Sequence, residues 1–340
     1  MNFKDFLSQD FAVDLGTANT LIMHEGNVVV NEPSIIAIDT NTNRVLAVGR
    51  EAMQMHEKTH EHIKTIKPLR DGVIANYQAA EQMIKGMLQK VMKSKFSFGS
   101  HRFVICIPYS TTEVEKRAVR DSAQAVGAKE VYMIHEPIAA ALGIGLDIKQ
   151  AEGSMIVDIG GGTTEIVVIS LSGIVCSQSL KIAGNAFDTD IIDYMRRQHN
   201  LLVGERTAEK LKIQVGAVIE DLEEPPIDAK VLGRDLLTGI PKAVMIRYLE
   251  MAQVLDKSIS KIEEGILKTL EECPPELAAD IYTRGIYLTG GGAYLRGLAK
   301  RLSRVTQLPV QLAEDPLLSV MRGTGVSLKN LKDYRSVLMT

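Results

Sequence analysis

Two stretches of this chain share one grammar, and together they restrict its fold more than any other feature. They are 13-VDLGTANTLIM-23 and 157-VDIGGGTTEIVVIS-170. In each, an apolar run reaches an aspartate, a break rich in glycine and threonine follows, and a second apolar run begins. Short apolar runs bounded by glycine read as buried strands. Glycine permits positive φ and lets a ligand approach the backbone closely. Successive exposed N–H groups then form a concavity suited to anions. A carboxylate beside it would repel bare phosphate, so a cation is needed between them. Mg²⁺, often held through water, meets that need. One such turn alone would equally suit a ligand-free hairpin. Two copies in register point to a duplicated phosphate clamp, with Gly16, Thr17, Ala18 and Asn19 in one turn and Gly160, Gly161, Gly162, Thr163 and Thr164 in the other. Asp14 and Asp158 stand at the strand ends for the metal.

The surroundings of the turns repeat as well. Residues 11–30 read as two strands, a tight polar turn between them, and a third strand; residues 155–177 follow the same plan. Each half then supplies a strand, a helix and a strand: 102–108, 111–128 and 131–137 in the first, 285–291, 293–306 and 308–315 in the second. Such alternation implies parallel sheets covered by helices. The fold class expected is α/β, two duplicated domains around a nucleotide cleft, because ligands in such folds sit at the carboxyl ends of strands. Residues 32–71 and about 182–245 fall outside the repeat and read as one small inserted subdomain in each half. The acidic 220-EDLEEPPID-228 reads as a surface loop.

At 340 residues the chain has room for roughly two domains. Its net charge of -3 argues against a surface that coats nucleic acid, so no nucleic-acid partner is expected. Cys106, Cys176 and Cys273 lie far apart with no metal spacing among them, and read as reduced, buried thiols of a cytosolic protein. No apolar stretch is long and uncharged enough to span a bilayer, and MNFKDFLSQD has no secretory apolar core.

A third glycine run, 289-TGGGAYL-295, follows a strand and opens a helix. It suits either close backbone approach to a nucleoside or a plain strand-to-helix turn. Together these residues resemble the superfamily of actin, sugar kinases and heat-shock chaperone ATPases. The runs 12-AVDLGTANT-20, 71-DGVIANY-77, 136-EPIAAALG-143, 154-SMIVDIGGGTTEIVVISL-171, 273-CPPELAADI-281 and 288-LTGGGAYLRGL-298 narrow the resemblance to the bacterial actins of the MreB family, over essentially the whole chain. The resemblance implies an actin-like fold of four subdomains: 1–31, 72–145 and 316–340; 32–71; 146–181 and 246–315; and 182–245. It implies ATP or GTP with Mg²⁺, and nucleotide hydrolysis coupled to filament assembly. It also implies double protofilaments at the inner face of the cytoplasmic membrane, cell-wall elongation membrane proteins as partners, and a role in rod shape and peptidoglycan synthesis.

Residue by residue, the resemblance places Thr17, Ala18 and Asn19 at the first phosphate turn and Gly160, Gly161 and Gly162 at the second. Glu209 and Lys212 match a helix that touches adenosine, and their spacing of three gives them one helix face. Gly290, Gly291, Gly292 and Ala293 match the nucleoside turn. Glu136 precedes Pro137, which pushes its backbone to an extended shape and lets the proline start a helix. The carboxylate could then orient the water that attacks the γ-phosphate, with the Thr163 hydroxyl near the same water. Without the family, a helix-capping acid would explain Glu136. One departure is His135, where such relatives often carry an acid.

Other functions remain open to such a chain: a plasmid-segregating actin, a small-molecule kinase, a chaperone-like module, or a nucleotide-binding scaffold without turnover. No sugar-site motif is visible, and the second half is followed by too little chain for a peptide-binding domain. Asp14, Glu136 and Asp158 argue for turnover. Two segments suit a membrane surface. Phe3, Phe6 and Leu7 stand at helical spacing in a short amphipathic N-terminus. Phe96 and Phe98 stand in an expected basic loop with Lys90, Lys93, Lys95 and Arg102.

Overall fold

The computed structural model describes residues 9–91 and 101–340. The chain divides into two compact units. One comprises Met1–Gln150, Leu171–Gly173 and Leu318–Thr340, the other Ala151–Ser170 and Ile174–Leu317.

The first unit opens with strands β1 (Gln9–Leu15), β2 (Asn19–His24) and β3 (Asn27–Pro33), followed by β4 (Ile36–Asp39), β5 (Val45–Val48), helix α1 (Arg50–Met55) and β6 (Ile63–Ile66). The short pair β7 (Leu69–Arg70) and β8 (Val73–Ile74) leads to α2 (Tyr77–Val91). Then come β9 (His101–Ile107), α3 (Glu113–Ala125), β10 (Ala128–His135) and α4 (Glu136–Gly143). Its main sheet has the order β10-β9-β1-β2-β3, and β5-β4-β6 form a small sheet of their own.

The second unit repeats this opening with β11 (Ser154–Ile159), β12 (Thr164–Ser170) and β13 (Gly173–Leu180). Helix α5 (Gly184–His199), β14 (Leu201–Leu202), α6 (Glu205–Val215), β15 (Ala229–Asp235) and β16 (Pro241–Ile246) follow, and the three strands make a small sheet, β14-β15-β16. Helices α7 (Tyr248–Glu271) and α8 (Pro275–Arg284), strand β17 (Ile286–Thr289), helix α9 (Leu298–Thr306) and strand β18 (Val310–Leu312) close the unit. The last helix, α10 (Ser319–Lys329), belongs to the first unit. The main sheet of the second unit runs β13-β12-β11-β17-β18, the same plan as the first.

Neither main sheet is purely parallel. β1 pairs in parallel with β9, and β9 with β10, while β1, β2 and β3 are antiparallel. β11 is parallel to β17 and antiparallel to β12. The reason is connection length. Tight turns force antiparallel neighbours, and only a crossover with a helix returns the chain in parallel. Every residue of β11 and β12 is buried, as a strand covered on both faces requires. The core of the second unit gathers β11, β12, α5 and α7 around Phe187, Ile191, Leu255 and Ile259. That of the first gathers β1, β9 and α2 around Phe11, Met83 and Phe103.

Local chemistry sets the helix starts. Thr112 and Glu115 form a reciprocal capping box on α3, so the helix begins later than the threonine-rich run suggests. Pro137 sits in the first turn of α4, whose N-cap is His135. The expected helix over residues 293–306 is corrected. Gly291–Tyr294 form a short 3-10 turn, and α9 begins only at Leu298. Gly290 and Gly297, both at positive φ, break the backbone there.

Among the described residues no helix is long and apolar enough to cross a membrane. Phe3, Phe6, Leu7, Lys93, Lys95, Phe96 and Phe98 lie outside the described residues. Arg102 does not stand in a loop. It lies in β9 and donates to Asp10 through both Nε (2.9 Å) and Nη2.

Candidate functional site

Each unit carries an aspartate at the end of its central strand, followed by a glycine turn. In the first, Asp14 is the last residue but one of β1 and lies in register with Cys106 on β9. Cys106 is in turn in register with Ile134 on β10, two residues before Glu136. The pairing therefore gathers Asp14, Cys106 and Glu136, whose ligand atoms all lie within 4.8 Å of one another. Cys106 is fully buried. Burial pushes its thiol well above the ordinary range, and the charges of Asp14 and Glu136 push it further the same way. It stays a protonated donor. His135, beside Glu136, is held below its ordinary value by burial and then by Lys116. It is neutral at pH 7 and adds no charge at the carboxylate.

The first glycine turn is tied down from outside. Ser34 Oγ donates to Gly16 O at 2.6 Å, and Ser34 N donates to Ala18 O at 2.9 Å. Thr17 is buried, and its hydroxyl accepts from Gly72 N at 3.0 Å. A Cβ on Gly16 would meet Asn19 O at 2.6 Å, so only glycine fits there. Asn19 opens β2.

In the second unit Asp158 is the last residue but one of β11, in register with Glu165 on β12 and Thr289 on β17. Burial pushes its carboxyl up to about 6, against the opposing effect of the Thr289 hydroxyl. Gly160 N donates to Thr163 O at 2.9 Å and closes the turn, and Thr163 itself is buried. The start of α5 caps the other side: Gly184 N donates to Gly160 O at 3.1 Å and Asn185 N to Gly161 O at 2.8 Å. Lys212, on α6, reaches the same place. Its Nζ donates to Gly184 O at 3.0 Å and pairs with Asp188 at 2.9 Å. Glu209 stands three residues earlier on α6, half-buried like Lys212.

The third glycine run packs on the second turn. Gly290 has φ 79°, and a Cβ there would collide with Asp158 Oδ1 and Ile159 O. A Cβ on Gly292 would collide with the Ile159 side chain. Ala293 N donates to Gly290 O at 3.2 Å. Arg296 joins this run to α6, donating to Ile213 O at 3.2 Å and Gly216 O at 3.3 Å. The second unit thus brings together Asp158, Gly160, Gly161, Gly162, Thr163, Lys212, Gly290, Gly291, Gly292 and Ala293. The first brings together Asp14, Thr17, Ala18, Asn19 and Glu136. Sequence reasoning missed Cys106, Ser34, Gly72, Gly184 and Asp188, since none belongs to the glycine grammar and each arrives from a distant element.

Taken singly, Asp14 in the first unit and Asp158 in the second each offer carboxylate oxygens, the kind of ligand a hard cation takes. Asp158 is buried and its charge uncompensated enough to lift its pKa, which a nearby cation would reverse. A pH dependence follows. A carboxyl raised in the folded state is stable while protonated and loses that stability as pH rises from about 4 to about 6. For the nucleotide-free protein the full effect is about 3 kcal/mol, at 1.36 kcal/mol per pKa unit. Asp158→Asn is expected to flatten the denaturant midpoint over this window and to raise it at pH 7. A parallel pH profile in parent and variant would show the carboxyl to be unperturbed.

Two units built on one plan, each with a five-stranded mixed sheet and an aspartate–glycine turn on its central strand, define the class of actin-like ATPase folds. The solved structure of MreB 5 of Spiroplasma citri bound to AMPPNP matches with a TM-score of 0.91 and 38% identity, over 97% of this chain and 98% of that one. A MamK double helical filament shares the fold at a TM-score of 0.79 and 22% identity, over 96% and 99%. The cell shape-determining protein MreB of Escherichia coli strain K12 is 45% identical over 332 residues, 96% of this chain and 95% of its own. The family model of the MreB/Mbl protein matches residues 8–336, and the chain belongs to that family.

Proposed function

We propose that this chain is a nucleotide-dependent, polymerising cytoskeletal protein that maintains rod shape and organises peptidoglycan synthesis. The observation that carries the reading is the aspartate–glycine turn repeated at the same strand of the same sheet in both units. The similar Spiroplasma citri protein was solved with AMPPNP bound. Here the N–H groups of Thr17, Ala18 and Asn19, and of Gly160, Gly161 and Gly162, bind phosphates of ATP or GTP. Glu209, Lys212 and the Gly290–Ala293 run hold the nucleoside, with Lys212 already fixed by Asp188. Asp14 and Asp158 hold Mg²⁺ through water; bound there, the ion offsets phosphate charge. Glu136 orients the attacking water, and Thr163 bonds to it. Subunits associate head to tail into double protofilaments, a repeating contact that does not close. The filaments lie at the inner face of the cytoplasmic membrane with cell-wall elongation proteins.

Electron microscopy of the purified protein with Mg-ATP and anionic vesicles tests this reading. Filaments on vesicles are expected, with few filaments when nucleotide is withheld. A protein that stays monomeric at high concentration with nucleotide and lipid, or that transfers phosphate to a small molecule, would overturn it. Membrane attachment should need polymerisation. Each buried Phe or Leu is worth roughly 1.5–3 kcal/mol at most and each Lys or Arg about 1 kcal/mol, and ordering consumes much of that in one subunit. Many copies on one filament make attachment firm. Deleting residues 1–8 together with changing Phe96 and Phe98 to Ser should release filaments from vesicles in co-sedimentation and leave nucleotide binding intact.

A further inference from the structure

Cys176 and Cys273, far apart in sequence, meet in the second unit. Strand β13 directs Ile174, Cys176, Gln178 and Leu180 to one face, since side chains alternate along a strand. That face runs beside α7 and the turn after it, and three points fix the register. A Cβ on Gly265 would meet Leu180 at 2.9 Å, so the strand lies against the helix there. Gln178 Nε2 donates to Glu272 Oε2 at 3.2 Å. At the third point Cys176 packs against the core cluster that contains Cys273, and each thiol influences the ionisation of the other. Both cysteines are free; Cys273 is buried in the core and Cys176 is half-buried at its margin.

We propose that Cys176 and Cys273 are a latent disulfide, a reversible oxidative modification site that staples β13 to the α7–α8 connection. The class of oxidant is a two-electron dithiol oxidant such as an azo compound of the diamide type. The Cys176 thiolate adds to one azo nitrogen, and the other nitrogen takes up a proton. The Cys273 thiolate then attacks the Cys176 sulfur; the S–S bond forms, the S–N bond breaks, and the hydrazine leaves with a second proton. Two thiols lose two hydrogens and the azo group gains them. A dithiol reductant reverses the change.

The surroundings make the pair slow rather than sensitive. Burial, then Cys273 itself and Glu272, push the Cys176 thiol up to about 12. Burial also raises Cys273, which Asp280 on α8 opposes ionising as well. Only the thiolate attacks, so the rate should climb about tenfold per pH unit between about pH 7 and 9. The pair therefore stays reduced under mild conditions and is captured by a strong dithiol oxidant.

Incubation of the full chain with diamide, followed by intact-mass measurement and a non-reducing digest, tests the proposal. The expected result is loss of the mass of two hydrogens, one cross-linked peptide pair holding Cys176 and Cys273, and a Cys106 that alkylates after denaturation. The closed loop is long, so the unfolding midpoint should rise on the order of 5–10 °C and fall back with dithiothreitol. Cys176→Ser should abolish both the mass change and the shift. An unchanged mass after oxidation at pH 9, a cross-link between molecules, or a link through Cys106 would each overturn it. Nucleotide is absent from every arm, so the outcome is independent of the function proposed above.

Discussion

Glu136→Ala should bind nucleotide within a few-fold of the parent and release phosphate roughly 10²–10⁴ more slowly, the range expected for loss of a positioned general base. The position of the carboxylate supports the size of the effect. Glu136 is the first residue of α4, with buried Pro137 behind it and neutral His135 before it. Register through Cys106 sets it beside Asp14. A merely structural acid in the first helical turn would contribute about 0.3–1 kcal/mol to helix stability and nothing to turnover. The two roles therefore separate. Glu136→Gln keeps the shape and much of the hydrogen bonding but cannot take a proton. A Gln variant as slow as Ala assigns proton acceptance to Glu136. A Gln variant near the parent with a slow Ala variant assigns water orientation alone. Phosphate release at the parental rate in Glu136→Ala would remove Glu136 from the mechanism.

The duplicated plan was legible because it is written in local pattern. In each copy the apolar runs, the aspartate at the end of the first (Asp14 or Asp158) and the glycines at the break lie within about a dozen residues. Strand–helix–strand alternation likewise placed β9, α3 and β10. What was not legible depends on partners distant in sequence. Ser34 and Gly72 fasten the first turn from elsewhere, and Gly184 fastens the second. Sequence spacing kept all three cysteines apart, yet strand register brings Cys106 to Asp14 and packing brings Cys176 to Cys273. The tight turns that open each half pair their strands antiparallel, and the strand–helix–strand crossovers pair theirs in parallel. The start of α9 was misplaced because Gly290 and Gly297 take positive φ, a backbone feature that glycine permits but does not announce.

The largest effect on stability is expected at a place that sequence pattern left unremarked. Helices α4 and α10 cross backbone to backbone at Gly143 and Gly323. A Cβ on Gly323 would collide with Ala139 O, and one on Gly143 with Ser319 O. These are main-chain atoms of regular helices and cannot rotate away. Helix propensity predicts the opposite sign, since Gly→Ala inside an exposed helix stabilises by about 1 kcal/mol. Here the overlap should win. Gly323→Ala is expected to lower stability by about 3 kcal/mol or more, at the upper end of overpacking costs. The consequence reaches the chemistry, because α4 begins at Glu136 and α10 covers Ala12 on the strand of Asp14 and Met23 on the neighbouring β2. A helix pushed outward shifts the carboxylate, and a displacement of about 1 Å can cost 10² in rate. Gly145→Ala serves as control. Gly145 has φ 82° with open space around it, so its cost is backbone strain alone, about 1–2 kcal/mol. Urea midpoints of the three proteins decide the matter. If Gly323→Ala is as stable as the parent, the helices can part without loss, and the close crossing is not what positions Glu136.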